Sequence, residues 1–227
     1  MTLPAVTVGG PEYAERIAEV ISAAFSRSLL IAYLLRKPDS AWPTDDIPAD
    51  IIGPHFRNKV TTRAGLGAEL VEAGDFAAVA VWFPPGISTP TEGVTDPKLL
   101  DYLDNLFPIR KKHLQGRDHW NLNLIGRHHQ RTEPGVVRAV IEPYVKKARE
   151  QGVPLWLEAI NDHARDVYQR FGFRTVAEVR VGVGRSNSRG ELDENGEGIV
   201  VYAMMAEQSS LQTLDRVAFC VLVAGHF

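Results

Sequence analysis

The chain has 227 residues, 44% of them hydrophobic and 23% charged with both signs interspersed, which suits one sizeable globular domain. Its formal net charge is −3, and no basic stripe offers the phosphate-neutralising surface that nucleic acids require. Cys220 is the single cysteine, which excludes an intrachain disulfide and a thiolate metal cluster, and no apolar run approaches the roughly 20 residues that span a bilayer.

Residues 1–10 lack the basic start and apolar run of a secretory signal, so a reducing, cytoplasmic setting is expected. Residues 5–8 predict a short strand, punctuated by Gly9, Gly10 and Pro11. Over residues 12–25 the apolar positions Tyr13, Ile17, Val20, Ile21 and Ala24 recur at helical spacing. Residues 29–35 predict a second helix, the proline-bearing stretch 38–48 a loop, and residues 49–63 a third helix. Residues 68–72 and 76–83 flank Ala73-Gly74-Asp75 and predict a β-hairpin, ended by Pro84-Pro85-Gly86. Two weak helices are expected over 98–107 and 109–114.

In the second half, residues 119–125 alternate as a strand should, with Trp120, Leu122 and Leu124 on one face and Asn121, Asn123 and Ile125 on the other. Pro134 suits the first position of a helix whose apolar stripe is Val137, Val140, Ile141, Tyr144, Val145 and Ala148, stopped by Gly152. Residues 154–160 predict a strand, 162–170 a helix, 173–183 a strand, 184–198 a polar loop and 199–205 a last strand. Strand, helix and strand from 121 to 160 form a right-handed crossover with parallel neighbours. Open sheets of this kind bind ligands beyond the carboxyl ends of the parallel strands, here near 125–135 and 160–168.

Leu155-Trp156-Leu157-Glu158-Ala159-Ile160-Asn161, then Ala164-Arg165-Asp166-Val167-Tyr168 and Phe171-Gly172-Phe173, resemble the fifth strand and fourth helix of the GNAT family, the Gcn5-related N-acetyltransferases. The stretch from Val79 to Gly86, ending Trp-Phe-Pro-Pro-Gly, is similar to a strand of many fungal-type members. The resemblance implies one α/β domain over residues 1–206, with a mixed central sheet of about six to seven strands flanked by helices and a parallel pair at the cofactor cleft. Residues 207–227 are an extension open to three roles: an added strand, a homodimer contact or a lid.

The family likeness further implies acyl transfer from acetyl-CoA to an amine or hydroxyl of a small molecule, in the manner of secondary metabolism. By that likeness Tyr168 is the acid that protonates the departing thiolate, since a phenol is protonated at neutral pH. Asn161 would hold the pantetheine arm beside the backbone at Ile125, although a helix cap suits it equally. Glu158 shares a strand face with Trp156 and is either a general base or a structural glutamate. Asn121 and Asn123 are candidates to orient the substrate, joined by Trp82 at the end of its strand. The segments 38–63 and 86–116 should line the acceptor side, yet carry no motif.

Members of the family bind the coenzyme A pyrophosphate on a Q/R-x-x-G-x-G/A loop running into a helix, where bare backbone N–H groups meet an anion. The matching stretch here is Gln130-Arg131-Thr132-Glu133-Pro134-Gly135. Gln130, Arg131 and Gly135 suit the anion, but Glu133 stands at the first glycine position and Pro134 lacks a donor. A carboxylate about 5 Å from one phosphate charge repels it by roughly 3 kcal/mol at an effective dielectric near 20, and a missing hydrogen bond costs about 1–3 kcal/mol. A loss of about two to four decades in coenzyme A affinity is expected unless neighbouring arginines compensate or Glu133 turns outward.

Two other readings therefore stay open: a GNAT-fold enzyme that performs cyclisation, dehydration or decarboxylation without coenzyme A, and a non-catalytic ligand-binding protein. His119, His128 and His129 do not form a metal-ligand pattern. No G-x-S-x-G elbow marks a serine hydrolase.

Overall fold

The structure, a computed structural model, describes residues 3–88, 90 and 93–207. The extension expected from residue 207 onward lies, beyond Glu207, outside the described residues. Seven strands form one sheet in the order β1-β2-β3-β4-β5-β7-β6. They are β1 (Val6–Gly9), β2 (Glu69–Ala73), β3 (Ala78–Phe83), β4 (Trp120–Arg127), β5 (Leu155–Ala159), β6 (Arg174–Val181) and β7 (Ile199–Ala206). Only β4 and β5 run parallel; every other neighbouring pair is antiparallel.

Six helices cover the two faces: α1 (Ala14–Phe25), α2 (Leu29–Leu35), α3 (Ala49–Gly65), α4 (Pro97–Leu114), α5 (Val136–Gln151) and α6 (Asp162–Gln169). On one face α5 buries Val140, Ile141, Tyr144 and Ala148 against β2 to β4, and Tyr168 of α6 joins the same core. On the other face α1 and α3 bury Ile17, Ile21, Phe56 and Val60 against Leu70, Val81 and Phe83. Beside them α2 and α4 bury Leu30, Tyr33, Leu106 and Leu114 against Trp156, Val201 and Met205. The second face is thus split between two helix pairs, above the line where β4 meets β5.

The expected helices 98–107 and 109–114 are one helix. Pro108 removes a donor inside α4, but Leu106 and Leu114 on either side of it are buried in the same cluster, and that packing carries the helix through. The alternation expected along β4 also breaks. Val81 pairs with Leu124 but Trp82 with Leu122, so Asn123 is an extra residue in a β-bulge. Trp120 and Leu122 face α5 together with Ile125, whereas Leu124 turns to the α1–α3 face. Among the described residues no single helix is long and apolar enough to cross a membrane.

The loop between β6 and β7 closes onto α2 and α4. Gly182, at φ +81°, donates its N–H to Asp101 Oδ2 at 2.6 Å, and a side chain there would run into the Tyr33 ring. Arg185 Nη1 adds a bond to the Pro97 carbonyl at 3.1 Å.

Candidate active site

The parallel strands pair over a short stretch only, Trp120 with Leu155, Asn121 with Trp156 and Leu122 with Leu157. Beyond it β4 continues to Arg127 against β3 alone, and Glu158 and Ala159 of β5 continue against β7 alone. The strands therefore separate at their carboxyl ends. Backbone groups facing the gap have no strand partner there, and an extended ligand can take their hydrogen bonds.

At one end of the gap the loop after β4 leads into α5. Gly135 precedes the helix in the left-handed region, φ +80°, and no side chain caps it. The helical ladder starts with Ala139 N–H to Gly135 C=O at 2.8 Å, so the amides of Val136, Val137 and Arg138 have no intrahelical bond. Glu133 does not face this end alone. Arg131 Nε donates to its carboxylate at 2.5 Å, and the same guanidinium reaches the carbonyls of Gly74 at 2.9 Å and Asp75 at 3.4 Å. Glu133's own backbone N–H, and then Arg131, hold its carboxyl below the ordinary range. The two charges cancel within the loop.

On the helix-split face, α3 and α4 bring polar groups to the other side of the gap. His55, Lys59 and Arg63 recur at four-residue spacing and form one stripe of α3. Arg63, only 8% exposed, donates Nε–H to Asn123 Oδ1 at the bulge and Nη1–H to the Lys59 carbonyl at 3.0 Å. Lys59 Nζ lies 3.5 Å from His55 Nε2. Burial lowers Lys59 to about 7 and His55 to about 4, with neighbouring cations adding to both shifts. From α4, Tyr102 stands within electrostatic reach of Glu158, Arg110 and Arg63, and burial first, then Glu158, keeps its phenol protonated. Arg110 Nη2 lies 2.7 Å from His119 Nε2.

Glu158 is half-buried on β5 and accepts the indole N–H of Trp156. Burial raises its carboxyl above the usual range, opposed by Arg110 and then by the Trp156 hydrogen bond. A carboxyl so placed exchanges protons nearer neutrality than an exposed glutamate. Asn121 is 3% exposed, and its Oδ1 has no hydrogen-bond partner among the described residues.

A family described as the YOR012W acetyl transferase domain matches residues 12–88. The chain is 32% identical over 212 residues to the uncharacterized protein YDR391C of Saccharomyces cerevisiae, covering 89% of this chain and 88% of that one. It is 29% identical over 123 residues to the uncharacterized N-acetyltransferase C550.08 of Schizosaccharomyces pombe, covering 46% of this chain and 50% of that one. Arylalkylamine N-acetyltransferase 2 from Aedes aegypti superposes with a TM-score of 0.60 at 14% identity, over 90% of this chain and 98% of that one. The chain belongs to the GNAT superfamily.

Within the GNAT frame the structure sorts the predicted residues. Ile125 lies on the stretch of β4 that β5 does not pair, and Gln130 is exposed on the loop with its N–H on His128 Nδ1 at 3.3 Å. Arg131 and Gly135 stand at the α5 end as described. Asn161 is the cap of α6, its Oδ1 accepting from Ala164 N–H at 2.8 Å. Tyr168 is buried, with its ring edge-on to Phe173 at 6.1 Å, and burial raises its phenol above the ordinary value. Asn121 and Asn123 lie beneath the α3–α4 split.

Trp82 needs correction. It is fully buried beneath α5, stacked on Tyr144 at 4.5 Å with its indole N–H on the Val140 carbonyl at 3.1 Å, so it cannot touch a substrate. Its place at the end of β3 suggested the cleft, but the pleat turns it to the opposite face. Sequence reasoning missed His55, Lys59, Arg63, Tyr102 and Arg110. The four-residue recurrence on α3 was the one signal available for the first three. Among the described residues no group of three or more His, Cys, Asp or Glu side chains gathers as a metal site would.

Proposed function

We propose that this GNAT protein transfers an acetyl group from acetyl-CoA to an amine of a small molecule in the cleft between β4 and β5. The carrying observation is the parallel pair that separates after Leu122 and Leu157, with the partly desolvated carboxyl of Glu158 just past the point of separation. The residues fit the donor in three ways: open amides at the start of α5, a β4 backbone from 123 to 127 with no strand partner on its β5 side, and a Glu133 ion-paired to Arg131. That pairing favours acetyl transfer over chemistry without coenzyme A, because it removes the larger of the two costs the loop sequence implies.

When bound, acetyl-CoA supplies an activated thioester carbonyl. The amides of Val136, Val137 and Arg138 would hold its diphosphate, and the unpaired edge of β4 its extended arm. Glu158 would take a proton from the acceptor's ammonium and so free the amine lone pair to attack, and its raised pKa lets it return that proton to solvent near neutrality. Tyr168 Oη, kept protonated by burial, holds the proton that a departing thiolate requires. Tyr102 and the α3 stripe would face the acceptor.

The experiment is calorimetric titration with acetyl-CoA, followed by thiol release in the presence of a panel of small amines. Saturable binding at micromolar to low-millimolar concentration with amine-dependent thiol release is expected. No binding at about 1 mM, a ceiling near −4 kcal/mol, removes the reading.

A further inference from the structure

We propose that the acceptor carries a carboxylate as well as its amine, and that the carboxylate seats against the basic face of α3. This rests on the acetyl-transfer reading above only for what then happens to the amine. The α3 stripe is built into the structure. Arg63 is fixed by Asn123 and by the Lys59 carbonyl, and Lys59 in turn lies beside His55. None of the three has a carboxylate within ion-pair distance among the described residues, whereas Arg16, Arg57, Arg131 and Lys147 elsewhere all do.

The charged neighbour that Lys59 feels is Arg63, and those that His55 feels are Lys59 and Arg63, all bases. Gathering like charges around a buried Arg63 without a counter-ion destabilises a fold, and an anionic ligand reaching the partly exposed Lys59 and His55 offsets that cost when it binds. The opposite pole is also present. Tyr102 lies within electrostatic reach of both Glu158 and Arg63, so the carboxyl and the stripe border the same phenol. Asn121, with a buried Oδ1 lacking a donor, sits at the β4 position paired with Trp156. A substrate with an ammonium toward Glu158 and Asn121 and a carboxylate toward Lys59 and Arg63 satisfies both poles. A plain alkylamine satisfies one, and a diamine places a cation against cations.

The test is calorimetry on the full chain, without acetyl-CoA, using 4-aminobutyrate, butyrate and butylamine as probes of equal length. The two carboxylates should bind at least about tenfold more tightly than butylamine, a difference of about 1.4 kcal/mol. Lys59→Met should abolish that preference, and Lys59→Arg should keep it. Arg63→Met should do the same as Lys59→Met if circular dichroism shows it folded; if it does not fold, the Lys59 pair carries the test. Equal or tighter binding of butylamine, an unchanged preference in Lys59→Met, or no binding of either carboxylate at millimolar concentration overturns the proposal. Because no donor is present, a carboxylate preference without acetyl transfer would count against the reaction and not against this site.

Discussion

Trp156 donates its indole N–H to the carboxylate of Glu158, two residues along the same strand and on the same face of the sheet. The bond favours the charged form of a group that burial pushes toward the neutral one. Glu158→Gln keeps the shape and the hydrogen-bonding capacity but removes the base. Thiol release should fall by about 10²–10⁴-fold in kcat, with acetyl-CoA affinity unchanged by calorimetry.

The same pair sets a pH dependence whose sign is determined. A base works when deprotonated, so activity should fall as pH drops through the raised pKa of Glu158. Trp156→Phe removes a contact that lowers that pKa. The acid limb of kcat/KM should therefore move to higher pH in the variant, and a limb that stays put or moves down would deny Glu158 the role of base.

The Arg131–Glu133 pair yields a double-mutant test. Arg131→Met leaves Glu133 uncompensated near the α5 end and should weaken acetyl-CoA binding by roughly tenfold or more. Glu133→Gly frees the guanidinium and removes the carboxylate, so affinity should rise. With both changed, affinity should lie between the two single variants. Titration with acetyl-CoA reads all three.

Lys59→Met should stabilise the protein without ligand. The Lys59 pKa falls from 10.5 to about 7 on folding, so the unfolded chain binds more protons than the folded one between those values. Stability then rises with pH across that window, and the cost of Lys59 is present in full below about 7. His55 acts the same way between about 4 and 6.5. Thermal unfolding should show a higher Tm for Lys59→Met at pH 7, with the gap closing toward pH 10. A cation whose removal stabilises the fold but costs ligand binding is held for function.

Much of this fold is legible in the sequence because the signals are local and dense. The stripe from Val137 to Ala148 and the run from Leu155 to Phe173 each state an element type within a few residues. Pro108 misleads because its local penalty is overruled by Leu106 and Leu114, which belong to a tertiary cluster that spacing alone does not reveal. The Asn123 bulge misleads for a related reason: an inserted residue inverts every side chain after it, and nothing in the run from Trp120 to Ile125 marks where it falls. Half of the site is hidden in the same way. Glu158 and Tyr168 sit on recognisable elements, while Lys59 and Arg63 lie on α3 and Tyr102 on α4, and which side chains those helices bring near the β4–β5 gap is decided by packing across about 40 residues or more of intervening chain.

The fastening of the β6–β7 loop has a mechanical result. Asp101, which anchors Gly182, is the neighbour of Tyr102, and Pro97, which anchors Arg185, opens the same helix. A shift of the β6–β7 loop would therefore pull on α4, the helix that carries Tyr102 and Arg110. Because Arg110 lowers the pKa of Glu158, such a pull would also retune that carboxyl from a loop that never touches it.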